Sequence, residues 1–271
     1  MVIEQLIPGP LLATDSTAVI GSVLMSRIAS NLPASIRVLG QAGWAAYVFL
    51  ESGRSLYCNG LRCEAEHALV AGNGAELELI CRAPSEVIVC RIGAKQSTLQ
   101  RNGCRLVDSP IELARVRAMI SSLRRPAEKC ATASLRETLA ALSLASCAAE
   151  GLSANRRAVS IERGRRYIHA NFVGTLRIAS VCEAAGIRSR TLEYGFRELF
   201  GVSPVAYIKA LRLNHVRRRL LSADSVERTI TTLALDSGFC HLSQFAADYQ
   251  KFFGESPSVT RRRALLVTRA A

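Results

Sequence analysis

A chain of 271 residues suits two domains of ordinary size, and with 49% of its residues apolar each half can bury a core. The formal net charge is +13, and it is unevenly placed: residues 153–271 hold 20 Lys and Arg against 9 Asp and Glu, while residues 1–152 hold 15 against 13. A compact basic region points to a polyanion, because each neutralised phosphate releases condensed counterions, although a solubilising surface or attraction to anionic lipid carries the same signature.

Met1 to Pro10 lacks the basic start and long apolar run of a secretory signal, and no stretch of roughly twenty apolar residues is present to span a bilayer. Nine cysteines, an odd number without any C-x-x-C pair, suit buried thiols in a reducing cytoplasm. Cys58 and Cys63 fall in an expected hairpin, where plain packing and oxidant sensing are both open.

Up to about residue 93 the pattern is β. Short runs at Val19 to Ile28, Ile36 to Leu39, Ala45 to Leu50, Leu56 to Cys58, Ala68 to Ala71, Leu77 to Cys81 and Val87 to Ile92 are punctuated by glycines, including Gly72-Asn73-Gly74. This spacing predicts a small barrel or sandwich. Residues 94–108 read as loop. Ser109-Pro110-Ile111-Glu112 is a capping box that opens a helix carrying Leu113, Val116, Ile120 and Leu123, with Pro126 ending it. Ser134 to Glu137 reads as a second capping box, followed by Leu139 and Leu142 on one face. The helical pair, about 109–150, is either a lid on the β core or a dimerisation surface. Residues 1–150 therefore form the expected first domain, and 151–159, short, polar and basic, the linker.

From Ser160 onward the chain reads as helical, broken by short turns. In Ile178 to Leu192, Cys182 is a small residue where two helices nearly touch, and Gly186 supplies the positive φ of a sharp corner. The pattern returns 52 residues later at Ile230, Leu233, Ala234, Ser237, Gly238 and Phe239. Both units close alike, on Phe200-Gly201-Val202-Ser203-Pro204 and Phe253-Gly254-Glu255-Ser256-Pro257, where serine caps and proline fills the first turn of the next helix. A basic helix from about Val205 to Leu221 links them. A duplicated helix-turn-helix predicts a reader of double-stranded DNA.

With those residues in view, 160–263 resembles the DNA-binding domain of the AraC/XylS family of bacterial transcription regulators. Tyr167 to Phe172 is similar to the family's first helix. Arg212-Leu213 with Val216 and Leu220 is similar to its linking helix, and Gly238-Phe239, Ser243, Phe245 and Phe253 to Pro257 to its signature. The resemblance implies seven helices, two of which enter successive major grooves, and activation of transcription beside RNA polymerase. Departures are Arg188 where serine usually stands, Tyr194 and Ala247 at the family's arginines, Tyr249 at a phenylalanine, and Gly195 at a bulky apolar position.

Base readout is expected from Arg190, whose fork matches two guanine acceptors, and from Glu193, Tyr194, Ser243 and Gln244. Ser189, Arg197, Arg212, Arg217, Arg218 and Lys251 are expected on phosphates, or simply on a solvated face. For the β domain the implied architecture is a cupin-like β-barrel binding a small effector or forming a homodimer. Trp44, Tyr47, Phe49 and Tyr57 either line a pocket or fill the core. His67 is the only histidine before residue 169, so no metal site, cofactor or catalytic residue is expected. The fold class expected is α+β in two domains. The rival readings are a β-barrel enzyme or DNA-repair protein with a helical targeting module, and a non-specific architectural DNA binder.

Overall fold

The computed structural model describes residues 2–20, 22–40, 42–53, 55–59, 61–72, 74–82, 84–93, 104–122, 131–144, 156–222 and 228–270. Two compact units result. One comprises Met1–Ile3, Leu12–Asn31 and Ser35–Arg156, and the other Glu4–Leu11, Leu32–Ala34 and Arg157–Ala271.

The strands and first helices are β1 (Val2–Gln5), β2 (Ala13–Ile20), β3 (Val23–Ser30), β4 (Ala34–Val38), β5 (Trp44–Ser52), β6 (Leu56–Cys58), β7 (Leu61–Cys63), β8 (Ala68–Ala71), β9 (Leu77–Cys81), β10 (Ser85–Gly93), β11 (Cys104–Val107), α1 (Pro110–Ser122) and α2 (Ala131–Leu144), all in the first unit except Glu4 and Gln5 of β1 and Ala34 of β4, which group with the second. The strands form a five-stranded sheet, β1-β4-β9-β6-β7, and a six-stranded sheet, β11-β8-β5-β10-β3-β2. The closed barrel of the sequence reading is not formed among the described residues. β2 is instead a largely exposed edge, its polar run Ala13 to Thr17 offering little to bury.

Central strands β5 and β10 are buried almost throughout because each faces apolar groups on both sides. One face contributes Ile28, Val48, Leu50, Val87 and Val89 to a core shared with Ile36, Leu56, Leu77 and Leu79 of the other sheet. The opposite face presents Val23, Tyr47, Phe49, Val70, Ile88 and Cys90 to Leu113, Val116 and Ile120 of α1 and Leu135, Leu139 and Leu142 of α2. Those helical faces are therefore spent as a lid on the sheet, while α1 leaves Ile111 exposed on its outer side. Two local expectations are corrected. Ser134 lies inside α2, so it does not open that helix, and β11 stands in part of the stretch read as loop. Leu123, Pro126, Asn73 and residues 151–155 of the expected linker lie outside the described residues.

The second unit carries α3 (Arg156–Asn171), α4 (Ile178–Ala185), α5 (Ser189–Phe200), α6 (Pro204–Leu221), α7 (Ile230–Asp236), α8 (Leu242–Phe253) and α9 (Pro257–Ala270). Two aromatic clusters hold it together. Phe196, Phe200 and Tyr207 meet one another at 4.7–5.5 Å between ring centres, and Phe245, Tyr249, Phe253 and Phe252 form a chain of similar contacts.

Glycine at position 195 has a cause here. A Cβ there would lie 2.3 Å from Ile161 Cδ1 and 2.5 Å from its Cγ1, so α3 occupies the volume a larger side chain would fill. Alanine in a helix gains about 1 kcal/mol over glycine, but overpacking costs about 1–3 kcal/mol, and the fully buried Ile161 cannot swing aside. Gly195→Ala is expected to be destabilising in urea denaturation, and Ile161→Ala in the same chain should recover part of the loss. A more stable Gly195→Ala would show that the α3–α5 contact yields.

Candidate nucleic-acid interface

Each corner is set by backbone conformation. After α4, Gly186 adopts φ +66° and its N–H reaches the carbonyls of Cys182 and Glu183, so the chain turns at once into α5. After α7, Gly238 adopts φ +84°, and Ser237, whose hydroxyl donates to Leu233 O at 2.7 Å, unwinds the helix end first. The second corner is thus the longer, five residues between helices against three. Close approach at the first corner is permitted by Gly164 of α3, where a Cβ would already sit 3.3 Å from Ala185 Cβ and from Leu192 Cδ1. Cys182, assigned that role from sequence, is partly exposed instead.

Both second helices are amphipathic. α5 buries Leu192, Gly195, Phe196, Leu199 and Phe200, and α8 buries Phe245, Tyr249 and Phe252. Their outer faces carry Ser189, Arg190, Tyr194 and Arg197 on one and Leu242, Ser243, Gln244 and Lys251 on the other, all exposed. Arg190 is held by no hydrogen bond or ion pair among the described residues. Glu193 is paired with Arg197 at 3.0 Å, an exposed i,i+4 pair of small worth that a base edge can break. Tyr194, 60% exposed, lies under the Arg157 guanidinium at 5.1 Å from its ring centre. The Gln244 amide donates to Asp248 at 3.2 Å, and Asp248 accepts from Lys209 of α6 at 2.5 Å.

The helix starts differ in a telling way. Ser203 accepts from Ala206 N–H at the start of α6, and Thr229 from Thr232 N–H at the start of α7. By contrast Arg177, Arg188 and His241, at the starts of α4, α5 and α8, offer no side-chain cap. An arginine at the positive end of a helix is electrostatically misplaced unless an anion joins it, and free N–H groups there suit phosphate. Arg177 and Arg188 were missing from the sequence-derived set, though their place just before each apolar helix start was a usable signal.

Two expected phosphate contacts, Arg212 and Arg217, are corrected. Arg212 donates to Phe172 O at 2.7 Å, Gly174 O at 2.7 Å and Gly238 O at 3.0 Å, so its fork is consumed by backbone carbonyls. Arg217 is paired with Glu255 at 3.0 Å and stacked on Phe253 at 4.4 Å, whereas Arg218, paired with Glu4, stays exposed. Of the six groups proposed for phosphate, Ser189, Arg197, Arg218 and Lys251 keep an outward-facing position.

In the first unit Tyr47 and Phe49 are core residues, Tyr57 is buried and Trp44 half-buried. None of the four lines the cavity of about 470 Å³ that opens elsewhere, bounded by Asp15, Thr17, Ser26, Ile28, Val38, Leu39, Gly40, Val89 and Arg91. Strand register explains this grouping, since Thr17 and Val89 flank Ser26 on one face of the six-stranded sheet. Arg91 Nε is buried there without a hydrogen-bond partner. Among the described residues no cluster of three His, Cys, Asp or Glu could hold a metal ion, and no helix is long and apolar enough to cross a membrane.

A family model described as a helix-turn-helix domain matches residues 181–263. Among similar proteins, the probable thc operon regulatory protein of Rhodococcus erythropolis is 35% identical over 92 residues, covering 34% of this chain and 28% of that one. The XylDLEGF operon transcriptional activator 1 of Pseudomonas putida is 36% identical over 104 residues, covering 38% and 31%. This chain thus spans about a third of the length of the curated relatives it matches. A solved structure of a probable AraC family transcriptional regulator from Rhodopseudomonas palustris is 38% identical, covering 39% of this chain and 96% of its own, with a TM-score of 0.36.

Proposed function

We propose, on the premise that the carboxy-terminal domain of this chain belongs to the AraC/XylS family of transcription regulators, that the protein binds promoter DNA in a sequence-specific manner and activates transcription beside RNA polymerase. The observation that carries this reading is the pair of glycine corners, each followed by a helix whose outer face is exposed and whose start lacks a cap. α5 and α8 lie in successive major grooves of one cytoplasmic duplex. Arg190 reads a guanine, with Glu193, Tyr194, Ser243 and Gln244 touching neighbouring base edges. Ser189, Arg177, Arg188, Arg197, Arg218 and Lys251 serve phosphates. The domain assignment follows: a regulatory β domain to about residue 150, a linker, and the DNA-binding domain over 160–263. No catalytic step is assigned to the chain.

Binding measured across single-base variants of the preferred site tests the assignment. Arg190→Ala is expected to erase discrimination at one base pair, about 1–3 kcal/mol or roughly five- to 150-fold. Lys251→Ala should weaken all duplexes alike and reduce the salt slope by about one. Wild-type behaviour of both variants would overturn these contacts.

The two-sheet β domain serves as a cupin-like effector domain. The cavity suits a small organic anion: an acid group on Arg91, hydroxyl contacts from Thr17 and Ser26, and an apolar body against Ile28, Val38, Leu39 and Val89. In a thermal-shift screen of small carboxylates, a ligand at a hundred times its Kd is expected to stabilise by about 2.7 kcal/mol, and Arg91→Leu to abolish the shift. A screen without any shift, or a shift that survives Arg91→Leu, would refute the site.

A further inference from the structure

The hairpin pair suggested by sequence, Cys58 and Cys63, does not face itself across the turn. Cys58 stands opposite Leu61, and Cys63 opposite Leu56. Diagonal neighbours on adjacent strands lie about 7–8 Å apart, beyond the reach of a disulfide. What comes close to Cys58 is a residue 46 positions along the chain: the Cys58 and Cys104 sulfurs are 3.7 Å apart. They belong to different sheets. Cys58 ends β6 of the five-stranded sheet, whereas Cys104 begins β11, the edge strand of the six-stranded one.

Access divides the two thiols. Cys58 is fully buried, while Cys104 is partly exposed at its sheet edge. A solvent-borne oxidant therefore reaches Cys104 first, and Cys58 is placed behind it as the resolving thiol. Forming the bond requires the sulfurs to close by about 1.7 Å, given an S–S length near 2.05 Å.

We propose that Cys58 and Cys104 are an oxidation site, which a peroxide converts to a disulfide joining the two sheets. In the first step the Cys104 sulfur attacks one peroxide oxygen, the O–O bond breaks, and a sulfenic acid and one water result. In the second the Cys58 sulfur attacks the Cys104 sulfur, the S–O bond breaks, and the hydroxyl leaves as a second water. Both thiol protons end in water and two electrons pass to the peroxide. The product pins the edge strand that precedes α1 to the opposite sheet.

Burial bars Cys63 and Cys90, like Cys58, from meeting the oxidant first, and it is Cys58 whose sulfur stands 3.7 Å from Cys104. Burial also pushes Cys63 up to about 12, with Cys104 adding to the effect, and Cys90 likewise up to about 12. Cys63 also donates to two backbone carbonyls, of Glu64 and His67.

The test uses the full reduced chain, treated with a small molar excess of hydrogen peroxide, alkylated under denaturing conditions, digested and mapped by mass spectrometry. The expected result is a linked Cys58–Cys104 peptide pair, with Cys63, Cys81 and Cys90 alkylated. Cys63→Ser should leave that link intact. Cys58→Ser should stop Cys104 at the sulfenic acid, trapped by dimedone. A dominant link from Cys104 to Cys63, a bond between chains through the exposed Cys240, or loss of other thiols before these two would overturn the proposal. Because the wild-type chain itself gives the decisive map, a poorly folded variant cannot mask the outcome.

Discussion

The Arg212→Ala variant is expected to melt well below the wild type and, for that reason, to lose binding to every duplex tested. Its guanidinium ties α6 to the α3–α4 loop through Phe172 O and Gly174 O and to the second corner through Gly238 O. Hydrogen bonds to a charged group contribute about 1.5–3 kcal/mol each, and removing the donor leaves carbonyls with poor alternatives. Because the three act together they do not add fully, and a total of about 3–5 kcal/mol is expected. Against a typical stability of about 5–15 kcal/mol that is a large fraction, equivalent to a fall in Tm on the order of 15 °C for a domain of this size. Had Arg212 been a phosphate contact, the variant would keep its melting temperature and bind all DNA somewhat more weakly. Thermal denaturation followed by circular dichroism separates the two outcomes. Arg212→Lys, which keeps the charge but not the fork, should fall between them.

The second large effect is expected at Gly238, and the contrast with Gly186 makes it sharp. Both glycines turn a corner at positive φ, where a β-carbon costs about 1–2 kcal/mol. At Gly186 nothing else lies within 4 Å of the missing Cβ, so Gly186→Ala should cost little beyond that. At Gly238 the Cβ would stand 2.8 Å from Val173 O and 2.9 Å from Arg212 Cζ. Backbone cannot retreat cheaply, and pushing the guanidinium aside breaks the clamp. Gly238→Ala is therefore expected to cost about 3 kcal/mol or more, the sum of strain and lost hydrogen bonds. Urea denaturation of the two alanine variants measures the difference, and equal costs would show that the clamp does not depend on the second corner.

Legibility of the sequence followed the physics of each feature. The two corners could be found because positive φ demands glycine and because the pattern recurs. The helices described in this unit announce themselves by apolar spacing, and α6 and α9 also by their Ser-Pro starts. Buried strands such as Val87 to Ile92 were visible as runs of branched residues. β2 was only half seen, since an exposed edge needs no apolar face, and β11 was missed because Arg105 interrupts so short a run, whereas the equally short Ala68 to Ala71 is apolar throughout. The lid role of α1 and α2 was one of two open readings, and only packing could choose between them. Arginine was the hardest residue to place. Arg190 and Arg212 look alike in a basic helical sequence, yet one points outward and the other satisfies three carbonyls from separate segments. The Arg91 cavity and the Cys58–Cys104 approach were likewise invisible, because each depends on strands brought together from distant parts of the chain.

The most direct measurement is selection of bound duplexes from a random-sequence pool by the full chain, followed by sequencing of the survivors. The account predicts one enriched motif made of two blocks about 10 base pairs apart, the spacing of successive major grooves on one face, with the block read by α5 lost in Arg190→Ala. Survivors without any shared sequence, retained with an affinity that responds to salt alone, would contradict it.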